Sequence, residues 1–389
     1  METNNIVDYP VDQLHSAMEG RKLRSRRLRK ARKQVELEKE AMRWKIPFSL
    51  ITIILWFYLV SPVGFELLRP LIYLSYKVKV NVTTDGAVVA EEYGKGPLDI
   101  PFVAFYALVL FFAREYISQE IFRPLAICLG ITSRSKVHKF NEQAWVVLFT
   151  GIAGPLGVYV MYHSPTWYFS TAGMYAAYPH KTHLAVTKFY YLFLAAFWAQ
   201  QALVMILGLE TRRRDFRELV IHHVVTLSLI GLSYRFHFTM MGVLIYVTHD
   251  VSDFFLAASK TFNYIDSPWQ GPYYVLCVVV WVYTRHYINL HILYSILTEF
   301  RTIGPYVLDW EQEQYKCVIS NVITFVLLAM LQLLNIYWSK CLLRVGYRFA
   351  FLGVAKDDRE EEDEDRSEPE DIKPDDKELA DNESDSKEE

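Results

Sequence analysis

The chain reads as an all-α polytopic membrane protein, a bundle of about eight transmembrane helices with polar tails. Two observations carry this reading. Apolar runs of membrane-spanning length recur through the middle of the 389 residues, in a composition that is 52% hydrophobic and 15% aromatic. Charge is pushed to the two ends. The formal net charge of −3 conceals 19 Asp/Glu against 6 Lys/Arg between Lys356 and Glu389, and a basic block at Arg21–Lys33. That distribution excludes the two or three soluble domains that the length alone would suggest.

Residues 1–45 read as a cytosolic basic segment. The block RKLRSRRLRKARK has the composition of a nucleic-acid or nuclear-import patch. Close ahead of an apolar span it reads better as a positive-inside signal and a contact for anionic lipid, so membrane lipids are the expected partner and nucleic acid is not. The polar stretch is too long for a signal-peptide n-region, and no small-residue cleavage site follows the apolar run. Residues 46–68 are therefore expected to stay as a first anchor.

A bilayer core takes about 20 apolar residues per helix. Segments near that length lie at Ile46–Leu67, Ile100–Tyr116, Ala144–Tyr162, Leu184–Leu209, Leu219–Tyr234, Thr239–Ser259, Pro272–Leu297 and Cys317–Leu343. Aromatic residues at their ends (Trp44, Trp145, Trp167, Tyr168, Trp269, Trp310 and Trp338) read as interfacial belts. If the spans alternate, the basic N-terminus, the loop with Arg123, Arg134, Lys136 and Lys139, and the loop with Arg212, Arg213, Arg214 and Arg217 share one side, the cytosol. Eight spans return the C-terminus there too. The loop 69–99 then faces the lumen, where Asn81-Val82-Thr83 is an N-glycosylation acceptor pattern. Residues 100–345 form the main helix bundle. The acidic tail 346–389 is poor in apolar residues and broken by Pro369 and Pro374, so it is expected to be a disordered cytosolic segment. Ser367 and Ser386 have Glu370 and Glu389 three positions on, a pattern for an acid-directed kinase such as casein kinase 2. Cys128, Cys277, Cys317 and Cys341 sit in or beside apolar runs without a CxxC pair and read as packing residues.

Ionisable groups inside spans are costly and point to function. They concentrate at Ile221-His222-His223-Val224-Val225-Thr226 in the fifth span and Thr248-His249-Asp250-Val251-Ser252-Asp253 in the sixth. On a helix, His249 with Asp253 (i, i+4) and Asp250 with Asp253 (i, i+3) share a face. An aspartate beside a histidine can fix its tautomer and raise its basicity. Basic partners within reach are His222, His223, Lys260 and Arg285. The link Arg235–Phe238 is short enough to make the two spans an antiparallel pair, with both clusters in the cytosolic half. A buried polar network that merely fixes packing is the competing reading. The histidine spacings of a membrane di-iron enzyme are missing, as are a GxSxG elbow and phosphate-cradling glycine loops, and no metal site is expected.

The stretch Arg217–Tyr264 resembles the Lag1p motif of ceramide synthases, the sphingosine or sphinganine N-acyltransferases of the TLC-domain superfamily. The shared features are His222-His223 with Thr226, Ser233-Tyr234, Gly242, His249-Asp250, Ser252-Asp253 and Ser259-Lys260. Phe236-His237-Phe238 and Lys260-Thr261-Phe262-Asn263-Tyr264 are similar to the fungal branch, and the loop Arg69–Asp99 is too short for the homeobox-like insert of many animal members. Animal members usually carry Asn and Arg where this chain has His237 and Met241, so those two positions receive no role. The resemblance implies an acyl-CoA-dependent N-acylation of a sphingoid base, with acyl-CoA as co-substrate and no other cofactor. It implies His222, His223, His249, Asp250 and Asp253 as catalytic residues, with Arg285, Lys260 and Arg217 as substrate contacts. It further implies a multi-pass protein of the endoplasmic reticulum membrane, a small single-span partner subunit, and a homo- or hetero-oligomer. The alternative is a TLC-type protein that binds or organises lipid without catalysis.

Overall fold

The computed structural model describes residues 42–82, 88–210 and 213–352. The basic block Arg21–Lys33, Arg212, Ser367 and Ser386 lie outside the described residues. Among the described residues six helices are long and apolar enough to cross a membrane: α3 (Asp99–Cys128), α4 (Arg134–Tyr162), α6 (Ala185–Ile206), α7 (Phe216–Arg235), α8 (Thr239–Tyr264) and α11 (Val318–Leu352). Before them come α1 (Lys45–Val60) and α2 (Pro62–Ile72), and the five-residue α5 (Thr171–Tyr175) lies between α4 and α6. A further long helical run is made by α9 (Gln270–Trp281), a π-helical stretch Val282–Ile288 and α10 (Asn289–Thr302). These three run on through helical backbone at Val282 and Asn289. The chain is thus a multi-pass helical bundle, as expected.

Two details differ from the sequence reading. The first apolar run is not one helix. It breaks at Ser61, whose extended backbone and side chain cap α2 by accepting from Gly64 N at 3.1 Å, with Pro62 in the first turn. The loop before α3 is not wholly irregular either. Strands β1 (Lys77–Val82) and β2 (Val88–Tyr93) form an antiparallel hairpin, and β2 pairs with β3 (His183–Leu184). Asn81 lies on β1, paired in register with Val89.

The connectors sort to opposite ends, as alternating crossings require. At the hairpin end, Lys95 reaches His237 and Thr239 in the α7–α8 corner, and Glu313 meets Lys181 at 3.3 Å. At the other end Arg114 of α3 pairs with Glu210 beyond α6 at 3.0 Å, and Trp338 of α11 donates to Asp215 before α7 at 3.1 Å. All four cysteines are free thiols.

Small residues set the packing around the site. Gly154 and Gly157 of α4 lie against α8, and a Cβ at Gly157 would overlap the Tyr190 hydroxyl and come within 2.8 Å of Val247. Trp145 belongs to the buried core rather than to a belt. The α7–α8 corner turns through His237, whose φ of 64° is the left-handed value that closes so short a link. Phe238 N donates to Ser233 O at 2.8 Å and Tyr178 Oη donates to Phe236 O at 2.7 Å, which fixes the corner.

The hairpin end is a pH-dependent clamp. Lys95 donates to Thr239 Oγ1 at 2.5 Å and His237 Nδ1 at 3.3 Å. Burial, and then the nearby charge of Lys188, pull the Lys95 amine down from its ordinary 10.5 to about 7. Burial, followed by Lys95, pulls His237 from 6.5 to about 4. His183, which bonds Thr239 Oγ1 at 2.9 Å, is also lowered by burial. Asp99 and Glu313 are the facing carboxylates and raise the Lys95 value. Each of the three lowered groups binds fewer protons when the clamp is folded, so stability must rise with pH between the folded and unfolded values. The expected profile climbs from about pH 4 to 6.5 through His237 and again from about 7 to 10.5 through Lys95. Lys95→Met should shrink the alkaline climb and, by removing the charge that depresses His237, narrow the acid one, as read by proteolysis of the hairpin across that range. An alkaline climb of unchanged size in the variant contradicts the assignment.

Candidate active site

The polar residues of α7 and α8 meet two cavities that lie end to end. A wide vestibule of about 620 Å³ is walled by α4, α6, α7, α8 and the π-helical stretch, with Lys139, Glu142, Glu210, Arg213, Asp215 and Lys260 among its charged residues. A narrower tunnel of about 190 Å³ runs from there toward the hairpin end between α6, α7, α8 and α11, and reaches Trp310 and Tyr315. Its wall is apolar almost throughout, with Leu229, Ile230, Ile245, Leu327 and Leu331. His222 and Trp198 line both cavities and so mark the junction.

The helical repeat places each imidazole. His222 and His223 are adjacent on α7 and both are buried, but their rings diverge. His222 stands edge-on between Trp198 (5.4 Å) and Trp338 (5.1 Å). Its Nδ1 has no hydrogen-bond partner among the described residues. His223 lines only the vestibule and meets the Leu219 carbonyl through Nδ1 at 2.9 Å. A carbonyl only accepts, so that nitrogen carries the proton and Nε2 offers a lone pair. The same argument holds for His249, whose Nδ1 lies 2.8 Å from Ile245 O. Its Nε2 is buried without a partner on the tunnel wall.

The aspartates do not hold the histidines. No hydrogen bond or ion pair joins His222, His223 or His249 to Asp250 or Asp253 among the described residues. Asp250 accepts from Tyr190 Oη at 3.3 Å, and Asp253 pairs with Arg285 at 2.5 Å. Arg285 is buried on the π-helical stretch. It also donates to Ser252 Oγ at 2.6 Å and Asn335 Oδ1 at 3.1 Å, and its guanidinium stacks on Trp281 at 4.6 Å. The reason is geometric: the His249 ring folds back onto its own helix carbonyl, while a permanent cation with several fixed donors is the stronger match for a buried carboxylate. Asp250, Asp253 and Arg285 nonetheless all line the vestibule.

Of the expected substrate contacts, Lys260 lines the vestibule as Arg285 does, whereas Arg217 is exposed on the first turn of α7 and lines neither cavity. The basic loop contributes through Arg213, which grips Asp215 with Nε and Nη2 at 3.1 Å each. Sequence reasoning missed Trp198, Asp215 and Tyr190, and took Trp338 for an interfacial residue. Trp338 instead covers His222, with its indole N–H on Asp215. Among the described residues no three His, Cys, Asp or Glu side chains are placed to share a metal ion.

Fold and site together define a multi-pass membrane protein with a polar, imidazole-bearing chamber built into its helices. The TLC-domain profile matches residues 139–344. A sphingosine N-acyltransferase-like protein of Gibberella moniliformis is 49% identical over 82% of this chain and 82% of its own. A sphingosine N-acyltransferase of Schizosaccharomyces pombe is 43% identical over 89% and 88%, and a ceramide synthase of Saccharomyces cerevisiae 44% over 83% and 77%. The chain belongs to the TLC-domain family, among the sphingosine N-acyltransferases.

Proposed function

We propose that the chain is a ceramide synthase that joins the acyl group of a fatty acyl-CoA to the amine of a sphingoid base. The single observation that carries this reading is the position of His222, where a polar vestibule gives way to an apolar tunnel. Acyl-CoA has the same division, a polyanionic head and an alkyl tail with the thioester between them. Laid across the two cavities, it sets its thioester beside His222. Lys139, Arg213 and Lys260 are the vestibule cations offered to the phosphates, among the carboxylates of Glu142, Glu210 and Asp215.

In the reaction the amine nitrogen forms a bond to the thioester carbon, the C–S bond breaks, and the thiolate takes a proton to leave as free CoA. The amine is mostly protonated at neutral pH and must lose a proton before it attacks. The free lone pair of His249 Nε2 is available for it. His222 serves the thioester either as hydrogen-bonding partner in direct aminolysis or as an acyl carrier. Kinetics varied in both substrates separate the routes: parallel reciprocal plots indicate the carrier, intersecting plots direct attack.

The same reading makes the vestibule end cytosolic, where acyl-CoA is made available, and the hairpin end with Asn81 luminal, in the endoplasmic reticulum membrane with both termini cytosolic. A small single-span subunit and assembly with further copies belong to it as well, as do the tail serines as kinase targets. The test is direct. Purified protein given sphinganine and acyl-CoA should release CoA thiol and form N-acyl sphinganine in equal amounts. Binding of both lipids without thiol release would favour a lipid-organising role instead.

A further inference from the structure

The tunnel wall carries polar atoms that the protein itself leaves unsatisfied. Thr226 lies one turn beyond His222 on α7, about 6 Å deeper at 1.5 Å per residue. A threonine hydroxyl inside a helix ordinarily bonds the carbonyl four residues back. Thr226 Oγ1 does not: it is buried, lines the tunnel, and meets no hydrogen-bond partner among the described residues. His249 Nε2 is in the same condition on the facing helix, with the residue only 4% exposed. Buried polar atoms in native proteins almost always have partners, and an orphan beside a cavity is open to a water or to a ligand's polar atom. An acyl chain has none to offer beyond its thioester. A sphingoid base does, since its amine at C2 stands between hydroxyls at C1 and C3.

We propose that Thr226 and His249 form the subsite for the amino-alcohol head of the sphingoid base, with His249 taking the amine and Thr226 the C3 hydroxyl. This deepens the ceramide synthase reading and rests on it. Orientation selects C3 over C1. The base's alkyl tail leaves C3 along the apolar tunnel wall, beside the acyl chain that enters the same tunnel, so the C3 hydroxyl lies on the deep side of the amine, at the level of Thr226. The C1 hydroxyl points back toward the polar vestibule, where water can serve it. Thr226 is thus a specificity-determining residue for the nucleophile, and its hydroxyl has no polar partner on the acyl chain that shares the tunnel.

The test pairs a near-isosteric substitution with a substrate that lacks the matching group. With Thr226→Val, kcat/KM for sphinganine should fall about 10-fold or more, as for a site built to bond a hydroxyl that loses its partner. The KM for acyl-CoA should hold. With 3-deoxysphinganine the wild type and the variant should perform alike, whereas 1-deoxysphinganine should show the same loss as sphinganine. Thr226→Ser, which keeps the hydroxyl, should restore most of the sphinganine rate and controls for folding. Equal losses on sphinganine and its 3-deoxy form, or no loss on either, overturn the assignment. A wild-type protein that forms no amide overturns the synthase reading itself, and this subsite with it.

Discussion

His222→Ala is expected to lower N-acylation by about 100-fold or more, the scale of a positioned acid–base group, while the protein still accumulates in the membrane. His222 and Trp198 are the residues that line both the vestibule and the tunnel, and only His222 of the two carries a titratable nitrogen. Its ring lies between two indoles and makes no hydrogen bond through Nδ1, so removing it breaks no network. Stability should lose only the packing of the ring against the two indoles, whereas the chemistry should change a great deal. His223→Ala is a useful comparison, because that ring is anchored to Leu219 O within the vestibule and does not reach the tunnel. A variant at His222 with wild-type turnover would return the cluster to a packing role.

Arg285→Met is expected to have the largest effect on stability. Arg285 is 2% exposed and ties three elements together: Asp253 and Ser252 on α8, Asn335 on α11, and its own π-helical stretch. Removing one partner of a fully buried ion pair costs about 3–5 kcal/mol; Asp253 keeps 27% exposure toward the vestibule, so the loss here falls toward the lower end of that range. Here Asp253 would also face Asp250 without the intervening cation. Methionine keeps the stem volume, so the loss is electrostatic. The second substitution Asp253→Asn should recover part of it. A double-mutant cycle on thermal unfolding in detergent reads the coupling directly. Additive losses would mean that the pair contributes no coupling of its own.

Much of the architecture was legible in the sequence because the bilayer imposes a length and polarity rule that each span obeys on its own. The pairing of α7 with α8 followed from the four-residue link Arg235–Phe238, and the grouping of His222, His223, His249, Asp250 and Asp253 from the helical repeat. The break of the first run at Ser61-Pro62 left a signal, a capping residue followed by proline, that hydropathy alone overrides. Other features carried no local signal. Trp338 and Trp198 reach His222 from helices far apart in sequence, and a tryptophan near the end of a span looks like a belt residue until its partner is seen. The aspartates were assigned to imidazoles because those neighbours share their helix. The actual partners, Tyr190 and Arg285, come from α6 and from a π-helical stretch whose altered register aims the guanidinium inward. The hairpin was hidden because its strands are short and its third strand is two residues long.

The central claim is that the thioester carbonyl sits at His222. An acyl-CoA bearing bromine on the carbon next to that carbonyl places an alkylating centre at the same point. Incubation with the full-length protein in detergent, followed by peptide mass spectrometry, should find the adduct on His222, with labelling suppressed by unmodified acyl-CoA. An adduct confined to vestibule residues such as Lys260, with His222 unmodified, would contradict the account.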